Sequence, residues 1–306
     1  MSKISTFLKG MAMGAADVVP GVSGGTIAFI TGIYDTLLES IRRINPSLIG
    51  VIRKGGIKSA FEHVNGTFLI CLFGGILTSI FTFAKLITWM LHTHPIPLWS
   101  FFFGLIIISV IHMLKQVDSW KISRIISIAI GVGFAYGITV LHPVAMDPTP
   151  LNLLIAGAIA ICAMILPGIS GSFILLLLGM YAPILAAAKS VDVTTLGIFA
   201  VGCVLGLLTF SHVLSWVLRS YRDIALTFLT GLMIGTLSKI WPWKEVISWR
   251  TNSHGEQVPL IEHNLSPFSY EHVTGHPALL TYAIIAMILG LAVVWGLEKY
   301  AERNDD

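Results

Sequence analysis

Two short stretches of the 306-residue chain hold the residue types that could bind or move charge. The first runs Asp17-Val-Val-Pro20-Gly21-Val-Ser23-Gly24-Gly25-Thr26, the second Pro167-Gly168-Ile-Ser170-Gly171-Ser172. Pro removes a helical donor and Gly weakens a helix, so each stretch breaks the chain's apolar run. A new half-helix then begins near Ser23–Thr26 and near Ser170–Phe173. The first amides of a helix have no intrahelical partners and carry the positive end of its dipole. Glycines let a ligand reach that backbone, and serine hydroxyls add hydrogen bonds, which together suit an anion. A plainer reading stands beside it, in which Pro-Gly makes a tight turn and Ser caps the helix. Occurrence of the pattern twice favours the anion cradle.

Ionisable residues within apolar runs are the next candidates, because burying them is expensive. Lys85 lies inside the first long apolar run, and a 127-residue shift sets His212 opposite it. Both could neutralise an anion, and His212 could also carry a coupling proton. Lys85 can equally snorkel to the membrane surface. Asp17 precedes the first break, while its counterpart in the second is Met164. A carboxylate there is either a proton carrier or a cap on exposed amides. Gly21-Val-Ser23-Gly24-Gly25 also fits the Gly-x-Ser-x-Gly pattern of serine hydrolases. A nucleophile needs a base within reach, and no histidine spacing assigns one to Ser23. No His, Asp, Glu or Cys cluster has metal-ligand spacing, and Cys71, Cys162 and Cys203 read as small apolar residues. Neither a metal nor a cofactor is expected.

The elements that must position these residues follow from composition. Hydrophobic residues make up 55% of the chain and charged residues 11%, with a mean hydropathy of +0.83. A soluble domain carries about 25% charged residues, so a water-facing enzyme or a nucleic-acid binder is excluded. Continuous apolar runs, without the alternation of a barrel, point to an all-α integral membrane protein. Roughly 20 apolar residues cross the hydrocarbon core, and six segments qualify: 67–91, 98–114, 125–141, 194–216, 224–240 and 278–297. Residues 2–40 and 151–188 read instead as broken re-entrant hairpins.

An internal repeat organises these pieces. A shift of 147 sets Pro20-Gly-Val-Ser-Gly on Pro167-Gly-Ile-Ser-Gly, and Gly32 and Tyr34 on Gly179 and Tyr181. A shift of 127 sets Gly75, Trp89 and Gly104 on Gly202, Trp216 and Gly231. Residues 1–145 and 146–306 are then two repeats, each a hairpin plus three spans. Three is odd, so the repeats enter the membrane with opposite orientations, as in many secondary transporters. With a cytoplasmic N-terminus, 14 Lys and Arg fall on the cytoplasmic side and 4 on the other, which places both termini inside. The linker 41–66 reads as an interfacial or disordered segment, and 241–276 as a loop or lid on the outer face.

The stretches from Asp17 to Ile27 with Gly32-Ile-Tyr34, and from Pro167 to Phe173 with Gly179-Met-Tyr181, resemble those of the bacterial and archaeal polyprenyl-phosphate transporters, a family formerly catalogued as a domain of unknown function. The resemblance covers nearly the whole chain and is weakest in the long outer loop. It implies return of undecaprenyl phosphate from the outer to the inner leaflet of the cytoplasmic membrane, which recycles the lipid carrier of envelope polymers. It also implies that Ser23, Gly24, Gly25, Ser170, Gly171 and Ser172 hold the phosphate. Alternating access would carry it, in company with membrane lipids and a coupling proton or ion. A transporter of a small soluble anion and an intramembrane hydrolase are the competing readings.

Overall fold

The structure, a computed structural model, describes residues 2–19, 22–141, 146–251 and 257–305. Pro20 and Gly21, two of the expected site residues, lie outside the described residues. The first half opens with α1 (Lys3–Val18), capped by the Ser2 hydroxyl, which accepts from the Ser5 amide. After the break come α2 (Gly24–Ile30) and α3 (Tyr34–Arg42), joined by a turn at Gly32, whose φ of +69° suits glycine. Then follow α4 (Ser47–His63), α5 (Gly66–Thr93), α6 (Pro95–Lys115) and α7 (Ile122–Val140).

The second half repeats this order with α8 (Pro150–Ile165), α9 (Gly171–Leu177), α10 (Tyr181–Ser190), α11 (Val193–Ser220) and α12 (Arg222–Thr236). It then departs from it in β1 (Lys244–Thr251), β2 (Gln257–Asn264) and α13 (Pro267–Thr274), before α14 (Leu280–Asp305). α1 and α8 have 16 residues each, α2 and α9 have 7, and α5 and α11 have 28. At 1.5 Å per residue, α5 and α11 are each about 42 Å long, enough to cross a bilayer with tilt.

One expectation needs correction. Four helices, α5, α6, α7 and α11, are individually long and apolar enough to span, or five spans if the bent α9–α10 pair is one, against the six expected. α12 has 15 residues and is prolonged only by turns to Ile240, and α14 is apolar over Leu280–Gly296. The α9–α10 pair is bent by 109° over its short break, within the expected 151–188 hairpin. The linker 41–66, expected to be amphipathic, is mostly helical; α4 turns at Gly56, with φ +74°, and leaves Ile49, Ile52, Ile57 and Phe61 exposed. The fold is helical, as expected, with one small ribbon added. β1 and β2 form an antiparallel ribbon in the 241–276 loop, because Val246 and Ile247 favour extended backbone over helix.

Helix pairing follows small residues. α1 packs on α5 and α8 on α11; α7 packs on α12 and α14 on α6, so the last helix of each half lies against the other half. Any Cβ at Gly10 would overlap the Leu72 carbonyl, and at Gly157 the Phe199 carbonyl. Gly75 meets Phe7 and Gly202 meets Leu154 in the same way, at the offsets of 147 and 127 read from the sequence. In the exchanged pairs, Gly104 meets Met287 and Gly231 meets Ile128. Lipid supplies no hydrophobic drive between helices, so close backbone approach at small residues gains the van der Waals contact that holds them. Arg124 of α7 adds an ion pair of 3.2 Å to Asp223 of α12.

Gly75→Ala should therefore destabilise the protein by about 1–3 kcal/mol through overpacking. Gly133→Ala, where nothing lies within 4 Å of the added Cβ, should be neutral or better. Thermal unfolding of the detergent-purified variants checks the difference.

Candidate functional site

The two breaks meet in the interior. The C-terminal turn of α8 leaves the carbonyls of Met164, Ile165 and Leu166 without helical donors of their own. Two hydroxyls of the first half serve these three, with the single Ser23 proton shared between two of them, and the Ile169 amide also donates to Leu166 O at 3.4 Å. The Ser23 hydroxyl lies 3.2 Å from both Met164 O and Leu166 O, and the Tyr34 hydroxyl donates to Ile165 O at 3.2 Å. In return, the Gly168 amide donates to Thr26 Oγ1 at 2.9 Å. Gly25 is packed so closely on the Ile165 carbonyl that a Cβ would overlap it. Ser23 is only 1% exposed and Thr26 is fully buried, so this contact is closed to water and to ligand.

The amides that begin α2 are also taken. Gly24 N donates to Asp17 Oδ1 at 2.6 Å, and Gly25 N to Ser23 Oγ at 3.1 Å. Asp17 sits where an incoming anion would sit, and a Cβ on Gly24 would run into its carboxylate. The expected open cradle at Ser23, Gly24 and Gly25 is thus filled by the chain's own carboxylate, in the capping role that the sequence left as one of two readings. Among the described residues, no side chain caps α9. The Ser170 and Ser172 hydroxyls instead bond each other at 2.9 Å, on an exposed face. Met164, the counterpart of Asp17, supplies no carboxylate.

Ser170 lines a narrow crevice of only about 10 Å³, room for about one water, walled by Gly168, Phe173, Thr139 of α7, and Thr236 and Lys239 at the end of α12. Lys239 lies 5.6 Å from the centre of the Phe173 ring and pairs with Glu262 of β2 at 3.0 Å. Lys244 of β1 approaches the same carboxylate at 3.4 Å. Burial pushes the Lys244 amine down to about 8, against the upward pull of Glu262. Burial also pushes the Glu262 carboxyl upward, but the charges of Lys244 and Lys239 outweigh it and hold it below its usual range. Towards the opposite end, a second cleft of about 480 Å³ is lined by Phe29 of α2, Asp35, Glu39, Arg219 and Arg222. α2 leads from one cleft to the other, since Thr26 is bonded to Gly168 and Phe29 stands in the far wall.

Lys85 and His212 are not brought to the breaks. Lys85 is exposed on α5, and the exposed His212 turns its Nδ1 to the Leu208 carbonyl at 2.7 Å, one turn back on its own helix. Lys239, Glu262 and Tyr34 are the residues that sequence reasoning passed over. Tyr34 marked the repeat without suggesting a bond to the other half. Lys239 and Glu262 are 23 residues apart, across a loop whose fold no periodicity announced.

A family described as VCA0040-like, undecaprenyl phosphate translocase-like, matches residues 13–258. The chain belongs to this undecaprenyl phosphate translocase-like family. A protein of Vibrio cholerae serotype O1 named polyprenyl-phosphate transporter is 66% identical over 303 residues, covering 99% of this chain and 98% of its own. A Staphylococcus aureus protein of the same name is 31% identical over 254 residues, 77% of this chain and 85% of its own. No solved structure matches the chain.

Asp17→Ala would leave the buried Gly24 amide unpaired, and should cost about 1–3 kcal/mol of stability. Asp17→Asn keeps an acceptor there and should cost less. Chemical unfolding of both variants in the same detergent gives the comparison.

Proposed function

We propose that this family member carries polyprenyl phosphate, with undecaprenyl phosphate as its physiological form, from the outer to the inner leaflet of the cytoplasmic membrane. The phosphate is held at the second break, by Ser170, Ser172 and the amides that begin at Gly171, with Pro167 and Gly168 shaping the turn. The observation that carries this reading is the difference between the two breaks. The same Ser-Gly pattern has its amides filled by Asp17 in the first half, and is uncapped beside a narrow crevice in the second. A phosphate monoester supplies the acceptors that the second turn lacks, while its chain stays in lipid.

The chain is read as two inverted repeats, residues 1–145 and 146–306, with both termini cytoplasmic. Exchange of α7 and α14 between the halves and the repeated glycine crossings support this. On that topology the Ser170 cleft opens outward and the Arg219–Arg222 cleft inward, with the bonded breaks as the barrier between them. Alternating access then means separating Ser23, Thr26 and Tyr34 from the end of α8. The first-break residues Ser23, Gly24, Gly25 and Thr26 act as this barrier in the outward-open form. A coupling proton or ion has Asp17 as its nearest candidate carrier; Lys85 and His212 are left facing outward. Hydrolysis is disfavoured because the Ser23 hydroxyl points at carbonyl oxygens, which cannot take its proton.

Purified protein in liposomes should accelerate leaflet exchange of a labelled polyprenyl phosphate and leave uptake of small anions at background. Ser170→Ala with Ser172→Ala should slow that exchange roughly tenfold, the loss of about 1.4 kcal/mol. Robust anion uptake without lipid exchange would replace this reading with a soluble-anion transporter.

A further inference from the structure

We infer that Lys239 is the cation that receives the phosphate headgroup at the outer cleft, and that Glu262 holds it ready until the headgroup arrives. This rests on the reading that the second break takes the phosphate. The ligand class is a phosphate monoester on a long apolar chain.

Lys239 is placed for this by three contacts. Its side chain is 28% exposed and walls the same small cleft as Ser170 and Gly168. Its ammonium lies over the ring of Phe173, the residue next to Ser172. Its anionic partner, Glu262, is shared, because Lys244 also reaches Glu262 Oε2. Two ammonium groups around one carboxylate leave an excess of one positive charge at the mouth of the cleft. That excess attracts a phosphate, and the low-dielectric surroundings strengthen the attraction.

Sharing also solves the cost of exchange. A carboxylate left unpaired in a largely buried place is penalised, which would lock a lone lysine to it. Here Lys244, only 7% exposed, stays on Glu262 when Lys239 turns to the phosphate. Lys244 is itself fixed by donation to the Lys239 carbonyl at 2.6 Å and by the Trp99 ring at 4.4 Å. The ribbon that carries the pair is anchored: Trp243 Nε1 donates to Ala278 O, Trp241 Nε1 to Leu265 O, and Asn264 Nδ2 to Ser238 O, each at 2.8 Å. Glu262 and Lys244 are thus the fixed part, and the flexible stem of Lys239 is the moving part. The outer loop is not a lid in this account; it is the mount for a counter-ion.

The test compares wild type with Lys239→Gln, Lys239→Arg and Glu262→Gln. Binding of geranyl phosphate is followed by tryptophan fluorescence, and leaflet exchange of polyprenyl phosphate is followed in liposomes. Lys239→Gln should weaken geranyl phosphate at least tenfold and slow exchange to a similar degree, whereas Lys239→Arg should keep most of both. Glu262→Gln should bind several-fold more tightly, since Lys239 has lost its competing partner. Inorganic phosphate should bind far more weakly than geranyl phosphate; equal binding would overturn assignment to a lipid headgroup. Wild-type binding in Lys239→Gln overturns the inference. Should Lys239→Gln fail to fold, unchanged or weaker binding by Glu262→Gln overturns it instead. If wild type binds geranyl phosphate but does not exchange the lipid, the transport reading fails, and the binding comparison still decides Lys239.

Discussion

A polypeptide that stops being helical within a membrane must find partners for every amide and carbonyl it frees, because lipid offers none. The rest of this structure depends on that constraint. The freed carbonyls at the end of α8 are met by the hydroxyls of Ser23 and Tyr34, the Gly168 amide by Thr26, and the Gly24 amide by Asp17. Each of these bonds except the last joins one half of the chain to the other. The glycine crossings serve the same end. By pressing α1 on α5 and α8 on α11, they hold the broken ends of α1 and α8 where such bonds can form.

One consequence is that two copies of a motif need not do one job. Ser23-Gly24-Gly25 and Ser170-Gly171-Ser172 begin helices of equal length. The first is preceded by Asp17 and the second, at the equivalent place, by Met164. A built-in carboxylate closes one cradle, and its absence leaves the other uncapped. The same asymmetry recurs outside the breaks. The second half carries a β-ribbon with no counterpart in the first, and that ribbon brings Glu262 and Lys244 to the cleft beside Ser170. In the proposed cycle, the symmetric frame provides the motion and the asymmetric insertions provide direction.

Much of this was legible in the sequence, for physical reasons. Apolar runs of spanning length, Pro-Gly breaks and a repeated glycine spacing are local signals, and the bilayer restricts what they can become. The breaks read at 17–25 and 167–172 fall where α1 gives way to α2 and α8 to α9, and the offsets of 147 and 127 recur in single glycine contacts. Asp17 was legible as a cap because a carboxylate before a helix start has few uses. The remainder depended on long-range pairing. Nothing near Tyr34 announces the Ile165 carbonyl, and nothing near Lys239 announces Glu262. The position of Lys85 suggested the site only through a depth match with His212, and depth does not fix which way a helix faces. The ribbon was missed because its strands lie between aromatic residues and polar turns that read equally well as a loop.

The central claim is that the phosphate rests on the second break while Asp17 closes the first. The most direct measurement is a structure of the protein in nanodiscs with bound geranylgeranyl phosphate. The account predicts phosphate density within hydrogen-bonding distance of Ser170, Gly171 and Ser172, with Asp17 still on the Gly24 amide. Phosphate on Gly24 and Gly25, with the Asp17 carboxylate displaced, would contradict it.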